Sequence, residues 1–393
     1  MSERRRVLFL SAGNGHALHE GVVAYAHEAD WILDNQMCYS GELPPAVKAD
    51  GVICRHLFRK DILDFAGALS LPAVGFEESE ALPIPRVYYN EGEIGRRAAR
   101  HLLARGYKTL AFYHRGGAAG QRPRMEGFRA EVEAAEGTCI LLQPPENGSS
   151  HKGDANPWGW LKEQLDAIRA PLGIMAVNDL VAGPLVDALL DFGYRVPEQI
   201  AVVGAENDPM LCNVASVPLS SVESCPRRVG YEAARLLDGL MAGEAPPAEP
   251  VLIEPGEVQT RVSSDTVAIR NLHAARALRF VWHHYREPIT VDSVSAHVPV
   301  TRRRLQTLFH DHVGRTMQEE IARVRLADAC RRLKQTSMKI QEIAAAVGFS
   351  SSLHLHRSFQ SAFGMGPKLF RETGEVPDFG VLPAQVGGQP LAG

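Results

Sequence analysis

The sequence predicts two fold classes in one chain: an α/β two-lobed region, followed by an all-α region with two helix-turn-helix units. Apolar strands alternate with helical segments over residues 5–264, which is typical of parallel sheets covered by helices on both faces. A helix-turn-helix pattern then occurs twice between residues 289 and 371. Basic residues are concentrated around this repeated pattern.

The predicted strands of the α/β region lie at residues 6–11, 31–33, 51–54, 73–76, 109–113, 139–142, 173–177 and 200–204. The predicted helices lie at residues 16–28, 93–105, 124–135 and 179–192, with another starting near residue 158. Residues 249–262 have the pattern of returning strands. This length suits two lobes.

The second copy of the helical pattern shows both helices clearly. Ser337 can cap a helix whose apolar residues share one face: Ile340, Ile343, Ala344 and Val347. Gly348 ends it, because glycine tolerates the positive φ of a tight turn. Ser350 or Ser351 can cap the next helix, whose inward stripe is Leu355, Phe359 and Phe363. This second helix is the predicted DNA-reading helix.

The first copy repeats the plan, with Thr290 and Thr301 as helix caps. The inward residues are Val291, Val294 and Val298, then Leu305, Leu308 and Phe309. The outward residues of the second helix are Arg302, Arg303, Arg304, Gln306 and Thr307. Pro299 lies in the turn, so this turn cannot use a positive φ.

A capping box formed by Thr316 and Glu319 opens a helix between the two copies. Its predicted buried side carries Ala322, Leu326, Ala329 and Leu333. One helix shared by both units would fix their spacing. Two reading helices could then enter successive major grooves, about 34 Å apart, on one face of DNA.

The charge distribution favours the same interpretation. Residues 270–371 contain 17 lysines and arginines and seven acidic residues, a net charge of +10. Since the whole chain carries −4, the remaining residues carry −14. A segregated positive field is the usual means of contacting DNA phosphates, although a solvated basic surface on an ordinary helical bundle is the alternative.

These residues resemble the AraC-type DNA-binding domain. The resemblance lies in Gly314-Arg315-Thr316 through Arg325-Leu326, in Ile340-x-x-Ile343-Ala344-x-x-Val347-Gly348-Phe349-Ser350, and in Arg357-x-Phe359 and Gly366-Pro367. It departs from the family at Pro299, and at His354 and Leu355, where an aromatic pair is frequent. The resemblance implies DNA contacts from Arg302, Arg303, Gln306 and Thr307 in one groove and from Ser352, His356 and Arg357 in the next.

Bulk composition excludes several other classes. The chain has 393 residues, 45% hydrophobic and 22% charged, which is ordinary for a soluble globular protein. The apolar run at residues 7–10 is too short for a signal peptide or a membrane span, so a cytoplasmic protein is expected. The six cysteines form no CxxC pair, which argues against a zinc site, and no metal or cofactor is expected.

Polar residues follow several predicted strands, where ligands of open α/β sheets bind. They are Asn14 and His16, then Asn178 and Asp179, then Glu206, Asn207 and Asp208. Arg124 opens a helix, and Trp158 or Trp160 could stack on an apolar ligand face. Taken singly, each polar residue is more often a helix cap or a turn residue. Together they predict a site for a small polyhydroxyl molecule.

The same region is similar to the LacI-type, periplasmic-binding-protein-like effector domain. The similarity lies in Gly92-x-x-Gly95 to His101-Leu102, Arg124-x-x-Gly127-Phe128, Ala176-Val177-Asn178-Asp179, residues 197–204 and Pro218-Leu219-Ser220-Ser221-Val222. A LacI-type sensor followed by an AraC-type reader resembles the xylose-operon regulators. That resemblance implies a sugar, such as D-xylose or another pentose, held between two lobes by Arg124, Asn178 with Asp179, and Glu206 with Asn207. It also implies a homodimer and, for an activator, contact with RNA polymerase.

Two other functions are alternatives to this one. An enzyme is an alternative because Gly13-x-Gly15 follows a strand, but Leu18 stands where a dinucleotide fingerprint needs glycine. Gly116-Gly117-x-x-Gly120 lacks the lysine of a phosphate-binding loop, and no GxSxG or HExxH occurs. An alkyl-transfer repair regulator would need a reactive cysteine in a Pro-Cys-His-like setting, which none of the six has.

We therefore expect a sugar-sensing domain at residues 1–264, a DNA-binding domain at 265–372 and a disordered tail at 373–393. A helix at residues 265–285, between sensor and reader, is the expected transmitter of the sugar signal. The predicted protein is a DNA-binding transcriptional regulator, an activator of sugar-utilisation genes, and no catalytic residue is assigned.

Overall fold

The computed structural model describes residues 4–12, 16–45, 48–77, 81–115, 122–144 and 158–384. The chain forms two compact units, one from residues 1–94 and 223–256 and the other from residues 95–222 and 257–393. No helix in these described ranges is long and apolar enough to cross a membrane.

The first unit is an α/β layer structure. Its elements are β1 (Arg6–Leu10), α1 (His16–Glu28), β2 (Ile32–Asp34), α2 (Met37–Ser40), β3 (Gly51–Cys54), α3 (Lys60–Leu69), β4 (Ala73–Gly75), β5 (Val87–Tyr89), α9 (Pro226–Met241) and β11 (Val251–Ile253). The parallel sheet has the order β2-β1-β3-β4, and β5 pairs in parallel with β11. Helices α1 and α9 touch through their backbones, since a Cβ on Gly21 or Gly230 would lie within 2.0 Å of a carbonyl oxygen of the other helix.

The second unit begins with a larger α/β lobe. Its elements are α4 (Glu91–Ala104, entering from the first unit), β6 (Thr109–Tyr113), α5 (Arg122–Ala134), β7 (Thr138–Leu142), α6 (Gly159–Asp166), β8 (Leu172–Ala176), α7 (Asp179–Asp191), β9 (Ile200–Ala205), α8 (Pro209–Val214), β10 (Ser220–Val222) and β12 (Val258–Gln259). The sheet order is β12-β10-β9-β8-β6-β7, parallel except where β12 joins. Strands β8 and β9 are buried along their whole length, as strands covered on both faces must be.

The helical region completes the second unit. It consists of α10 (Leu272–His284), α11 (Val291–Ala296), α12 (Arg302–Val313), α13 (Met317–Gln335), α14 (Ile340–Ala346), α15 (Ser352–Phe363) and α16 (Pro367–Thr373). Two helix-turn-helix pairs, α11–α12 and α14–α15, flank the long helix α13, and this confirms the predicted fold class.

The predicted transmitter helix begins later than expected. Helix α10 starts at Leu272, and the side chain of Asn271 caps it by accepting from the backbone N–H groups of His273 and Ala274, at 3.0 and 3.1 Å. Residues 265–271 are not helical. The residues that indicated this helix begin at Leu278, and they do not fix its start, which the Asn271 cap sets.

The predicted disordered tail is wrong for its described part after α16. Phe379, Val381 and Leu382 pack against the core of the first helix-turn-helix unit, and Phe379 also contacts the core of the second. Arg323 donates to the carbonyl oxygens of Phe379 and Val381. Three apolar side chains without helical or strand periodicity gave no sequence signal, yet they cover apolar surface here.

Candidate DNA interface and effector site

The first helix-turn-helix unit forms as the sequence predicts. A capping box joins Thr290 and Ser293 at the start of α11, and Thr301 caps α12 by accepting from the Arg304 N–H at 3.4 Å. The turn between the helices contains no residue with positive φ, as expected with Pro299 in it. The apolar stripe of α12 is buried and consists of Leu305, Leu308 and Phe309.

The second unit differs from the prediction at one cap. Helix α14 is capped at Lys339, whose N–H donates to the Glu342 carboxylate at 2.9 Å, and Ser337 is therefore not its cap. Ser351, rather than Ser350, caps α15 by accepting from the His354 N–H at 3.1 Å. Gly348 has φ of 88°, and a Cβ there would lie 2.4 Å from the Tyr285 carbonyl oxygen. Glycine is needed at this turn for both reasons.

The long helix α13 carries two fully buried carboxylates. Glu320 accepts from the Trp282 indole N–H at 2.7 Å and from Arg323, while Asp328 accepts from the Tyr285 hydroxyl at 2.8 Å. Three arginines surround Asp328: Arg286, Arg331 and Arg332. These hydrogen bonds hold α10 against α13. Each buried carboxylate is shielded from water and is instead bonded by several protein donors, including charged arginines.

The predicted DNA-reading side chains are all exposed, and they lie on the second helix of each helix-turn-helix unit. They are Arg302, Arg303, Gln306 and Thr307 on α12, and Ser352, His356 and Arg357 on α15. Arg302 also forms an ion pair with Asp292 of α11. Leu353 of α15 is 58% exposed beside them, an apolar residue that sequence reasoning passed over. An exposed leucine on a reading helix fits contact with the methyl group of thymine.

The predicted effector residues are distributed over both units. Asn14 lies outside the described residues, as do Gly13, Gly15 and the glycines at 116, 117 and 120. His16 is the exposed first residue of α1 in the first unit. The others belong to the second unit and follow its sheet strands: Arg124, Trp158, Asn178, Asp179, Glu206 and Asn207.

Asp179 is the hub of this group rather than an open ligand contact. It is 1% exposed, and its two oxygens accept from the Ser221 hydroxyl at 2.6 Å, the Asp208 N–H at 2.9 Å and the Cys212 thiol at 3.4 Å. Burial raises its pKa to about 6, against the lowering effect of these hydrogen bonds. The geometry assigns Asp179 to holding the loop after β9, and its direct bond to a sugar stays a prediction.

The loop after β9 has unusual backbone geometry. Glu206 and Asn207 have φ values of 99° and 53°, a region that residues other than glycine seldom adopt. The Asn207 N–H donates to the Ser221 hydroxyl at 2.9 Å, and its side-chain oxygen accepts from Arg261 at 2.8 Å. Glu206 is exposed. Strain held in place by such a network is typical of functional loops.

Three more predicted residues line the ends of neighbouring strands. Arg124 is 4% exposed in α5 and donates to the carbonyl oxygen of Val177, the residue just after β8. Asn178 caps α7 by accepting from the Val181 N–H at 3.1 Å, which leaves its amide N–H groups to donate elsewhere. Trp158 stacks against Tyr113 with ring centroids 6.2 Å apart.

Sequence reasoning missed two residues that organise the site. Ser221 binds both Asp179 and the backbone of Asn207, and it lay within a noted motif without an assigned role. Arg261 donates to Asn207 and to the Leu219 carbonyl oxygen at 2.9 Å. No local pattern could have found Arg261, because it reaches the site from the segment after β12, 54 residues further along the chain than Asn207.

Comparison with known proteins agrees with both parts of this structure, the α/β region and the helical region. Residues 99–264 match the family of periplasmic binding protein-like domains, and residues 294–373 match a helix-turn-helix domain family. The xylose operon regulatory protein of Haemophilus influenzae is 29% identical over 367 residues, which cover 90% of this chain and 93% of that protein. The protein of the same name from Escherichia coli K12 is 27% identical over 390 residues, covering 94% and 98%.

A solved structure is similar to this chain over most of its length. The structure of a xylose-binding transcription activator, xylR, is 26% identical, has a TM-score of 0.64, and covers 94% of this chain and 98% of that one. The chain is a DNA-binding transcriptional regulator with the architecture of the xylose operon regulatory proteins. In this regulator the α/β lobes precede an AraC-type reader, and the relatives named above are transcription regulators.

Proposed function

We propose that this regulator activates sugar-utilisation genes when it binds a pentose, D-xylose being the first choice. The observation that carries the proposal is the joining, within one compact unit, of a lobe with polar strand-end residues to two exposed reading helices. The full-length similarity to a xylose-binding activator supports xylose as the ligand. Since its target is genomic DNA, the regulator acts in the cytoplasm.

The sugar contacts in this proposal come from groups that can both donate and accept. Arg124 and the Asn178 amide donate, while the exposed Glu206 carboxylate accepts. Trp158 offers a ring face to the apolar side of the sugar. Asp179 and Asn207 position the Glu206 loop.

The DNA contacts come from the exposed faces of α12 and α15. Arginine pairs well with guanine and glutamine with adenine, so Arg303, Gln306 and Arg357 read bases, while the remaining exposed residues of the set support them. Arg303→Ala and Arg357→Ala should each weaken operator binding by about 1–3 kcal/mol and relax preference at one base pair. Footprinting and binding titrations on a selected operator measure this.

Arg270→Ala is the matched control, because Arg270 is exposed and equally charged but lies outside both reading helices. It should keep base preference intact. Unchanged footprints and affinities in both reading-helix variants would remove the assignment.

The sugar site is tested by calorimetry with pentoses. Arg124→Ala should weaken sugar binding by about 1–3 kcal/mol, because polar groups of the buried sugar lose their partner. Glu206→Gln, at an exposed position, tests the same site without disturbing the core. Arg122→Ala, in the exposed first turn of the same helix, is the control and should bind normally.

If no pentose gives heat, the ligand belongs to another class. If Arg124→Ala and Glu206→Gln both bind like the unaltered protein, the sugar is held elsewhere.

We also propose that the regulator works as a homodimer that contacts RNA polymerase. The relevant support is the similarity of its sensor to LacI-type effector domains. Light scattering in the presence of sugar and operator should give twice the mass of the 42.9 kDa chain.

A further inference from the structure

A cavity lies inside the second unit, where the α/β lobe meets the helical region. Its volume is about 430 Å³, within the usual range for small-molecule pockets. The lobe supplies the end of α7 and the loop before β9, including Arg195 and Glu198. Helix α10 supplies Arg276 and Arg279, and the end of α11 supplies His297. We call this cavity the junction pocket.

The junction pocket carries an excess of positive charge. Three guanidinium groups line it, Arg195, Arg276 and Arg279, against the single carboxylate of Glu198, a net charge of +2 before any histidine is counted. Glu198 is already paired with Arg279 at 2.7 Å. Within the described ranges, the guanidinium groups of Arg195 and Arg276 have no acidic partner. Half-buried arginines without counterions attract anions.

Histidines add donors to the same wall. His283 lines the pocket, and its Nε2 atom is buried with no hydrogen-bond partner among the described residues. Burial lowers the pKa of His283, and Arg279 and His284 lower it further, as expected for a ring in positive surroundings. Phe280 stacks on the rings of His284 and His297 and gives the pocket an apolar side.

We propose that the junction pocket binds the phosphate group of a small phosphorylated metabolite, such as a sugar phosphate. A phosphate monoester carries about two negative charges and three acceptor oxygens, which match the net +2 and the forked donors of arginine. The apolar face of Phe280 and the ring of Tyr194 suit the carbon skeleton of such a molecule. No residue of the proposed pentose site is involved.

Binding here would have a regulatory consequence. The phosphate would bridge Arg195 of the sensor lobe to Arg276 of the helix that leads into the reader, with Arg279 beside them. The same α7 whose first residue is Asp179 ends at this pocket. A metabolite that favours one arrangement of lobe and reader shifts the regulator toward that state.

The test is a calorimetric titration of the full-length, DNA-free protein with glycerol 3-phosphate, and with glycerol as the unphosphorylated probe. Heat is expected with the phosphorylated compound and not with its unphosphorylated counterpart. Arg195→Gln and Arg276→Gln should each weaken binding about tenfold or more, since each removes a charged hydrogen-bond donor. Glu198→Gln should tighten binding, because it removes the only carboxylate that lines the described pocket.

Arg169→Gln is the matched control, an exposed arginine of the same unit outside the pocket, and its affinity should stay unchanged. Absence of binding in the DNA-free protein, or equal affinity in all four variants, overturns the proposal. If the unaltered protein binds no glycerol 3-phosphate, but Arg195→Gln and Arg276→Gln lose affinity for the operator in a separate binding assay, the pocket serves a phosphate of the DNA backbone, and the metabolite is ruled out. Because neither pentose nor operator enters the titration, its result is independent of the proposed sugar response.

Discussion

A single buried carboxylate, Asp179, organises the strand ends of the second unit. A Cβ on Gly204 would lie only 2.1 Å from Oδ1 of Asp179, so β9 must have glycine at that position. The bonds of Asp179 to Ser221 and to the Asp208 N–H fix the loop that presents Glu206. The strand end of the sheet therefore depends on Asp179 for its shape more than for its charge.

Asp179→Asn should change how stability depends on pH. Burial raises the pKa of Asp179 to about 6, above the value of about 3.9 in an unfolded chain. Folding therefore takes up a proton between pH 4 and 6, and stability falls as pH rises through this window, by up to about 1.4 kcal/mol per pH unit. The variant should lose this part of the slope in urea titrations.

Asp265, whose burial also raises its pKa to about 6, keeps a similar contribution in the variant, so the slope should shrink rather than vanish. Asp191→Asn, at the exposed end of the same helix, is the control and should leave the slope unchanged. An Asp179→Asn protein with the slope of the unaltered protein would mean that folding does not shift the pKa of Asp179.

At the residue scale, the sequence predicted which side chains gather at the strand ends but not what each does there. Arg124, Asn178 and Glu206 do follow neighbouring strands, because carboxyl ends of parallel strands share one edge. The buried state of Asp179 could not be read from the chain, since its partners come from residues up to 42 positions away. The exposed faces of α12 and α15 could be predicted, because the spacing of apolar residues along a helix shows which face is buried.

At the scale of elements, helix α13 is the most consequential. The sequence predicted one buried side, whereas the structure buries two. Ile321, Val324 and Ala327 join the core of the first helix-turn-helix unit, and Leu326, Ala329 and Leu333 join the core of the second. A helix buried on both sides holds the two reading helices at a fixed distance, which two major grooves require.

Asp328 is the residue of α13 whose loss should cost most. Burial alone would raise its pKa, but the hydrogen bond from Arg331, the charges of Arg332 and Arg286, and the Tyr285 hydroxyl lower it overall. Its stabilising effect is therefore present above the unfolded pKa of about 3.9 and is lost in more acidic solution. Asp328→Asn should lower the free energy of unfolding at pH 7 by about 3–5 kcal/mol, because arginines are left unpaired.

Chemical denaturation followed by circular dichroism measures this loss. Asp311→Asn is the control, since Asp311 is 59% exposed and should change stability little. A denaturation midpoint for Asp328→Asn equal to that of the control would show that the buried network contributes no net stability.

Sequence patterns missed several helices and strands of the α/β region. Helices α2, α3, α8 and α9 and strand β5 have no place in the predicted order, although α9 is 16 residues long. Its Gly230 and the flanking proline obscured the helical pattern, but the close approach to α1 needs that glycine. Tertiary contact here overrides local preference.

At the scale of the whole chain, the order of α/β lobes followed by reader was predictable, and the division into compact units was not. The first unit takes residues 223–256 from beyond the sheet of the second, so neither lobe is continuous in sequence. Alternating strands and helices predict parallel sheets, but strand order depends on crossovers that local patterns do not encode. The lobe and the reader within the second unit are tied by the Glu198–Arg279 ion pair and by the Ala268 N–H bond to Arg105.

The end of the described chain is a further tie. The Ala384 N–H donates to buried Asp265 at 2.9 Å, beside the sensor lobe. Phe379 packs against Phe363 with ring centroids 6.2 Å apart and contacts both reader cores. Residues 379–384 thus run along the reader as a strap, and this strap covers apolar surface shared by the two helix-turn-helix units.

Truncation after Thr373 should therefore destabilise the reader by about 2–4 kcal/mol, since it uncovers the Phe379 site and removes two acceptors of Arg323. Phe379→Ala should reproduce a large part of that loss, because the aromatic ring contributes most of the packing. Truncation after Ala384 retains all of these contacts and serves as the control. Thermal unfolding followed by circular dichroism separates the three proteins, and a chain ending at residue 373 that melts with the control would show that the strap adds no stability.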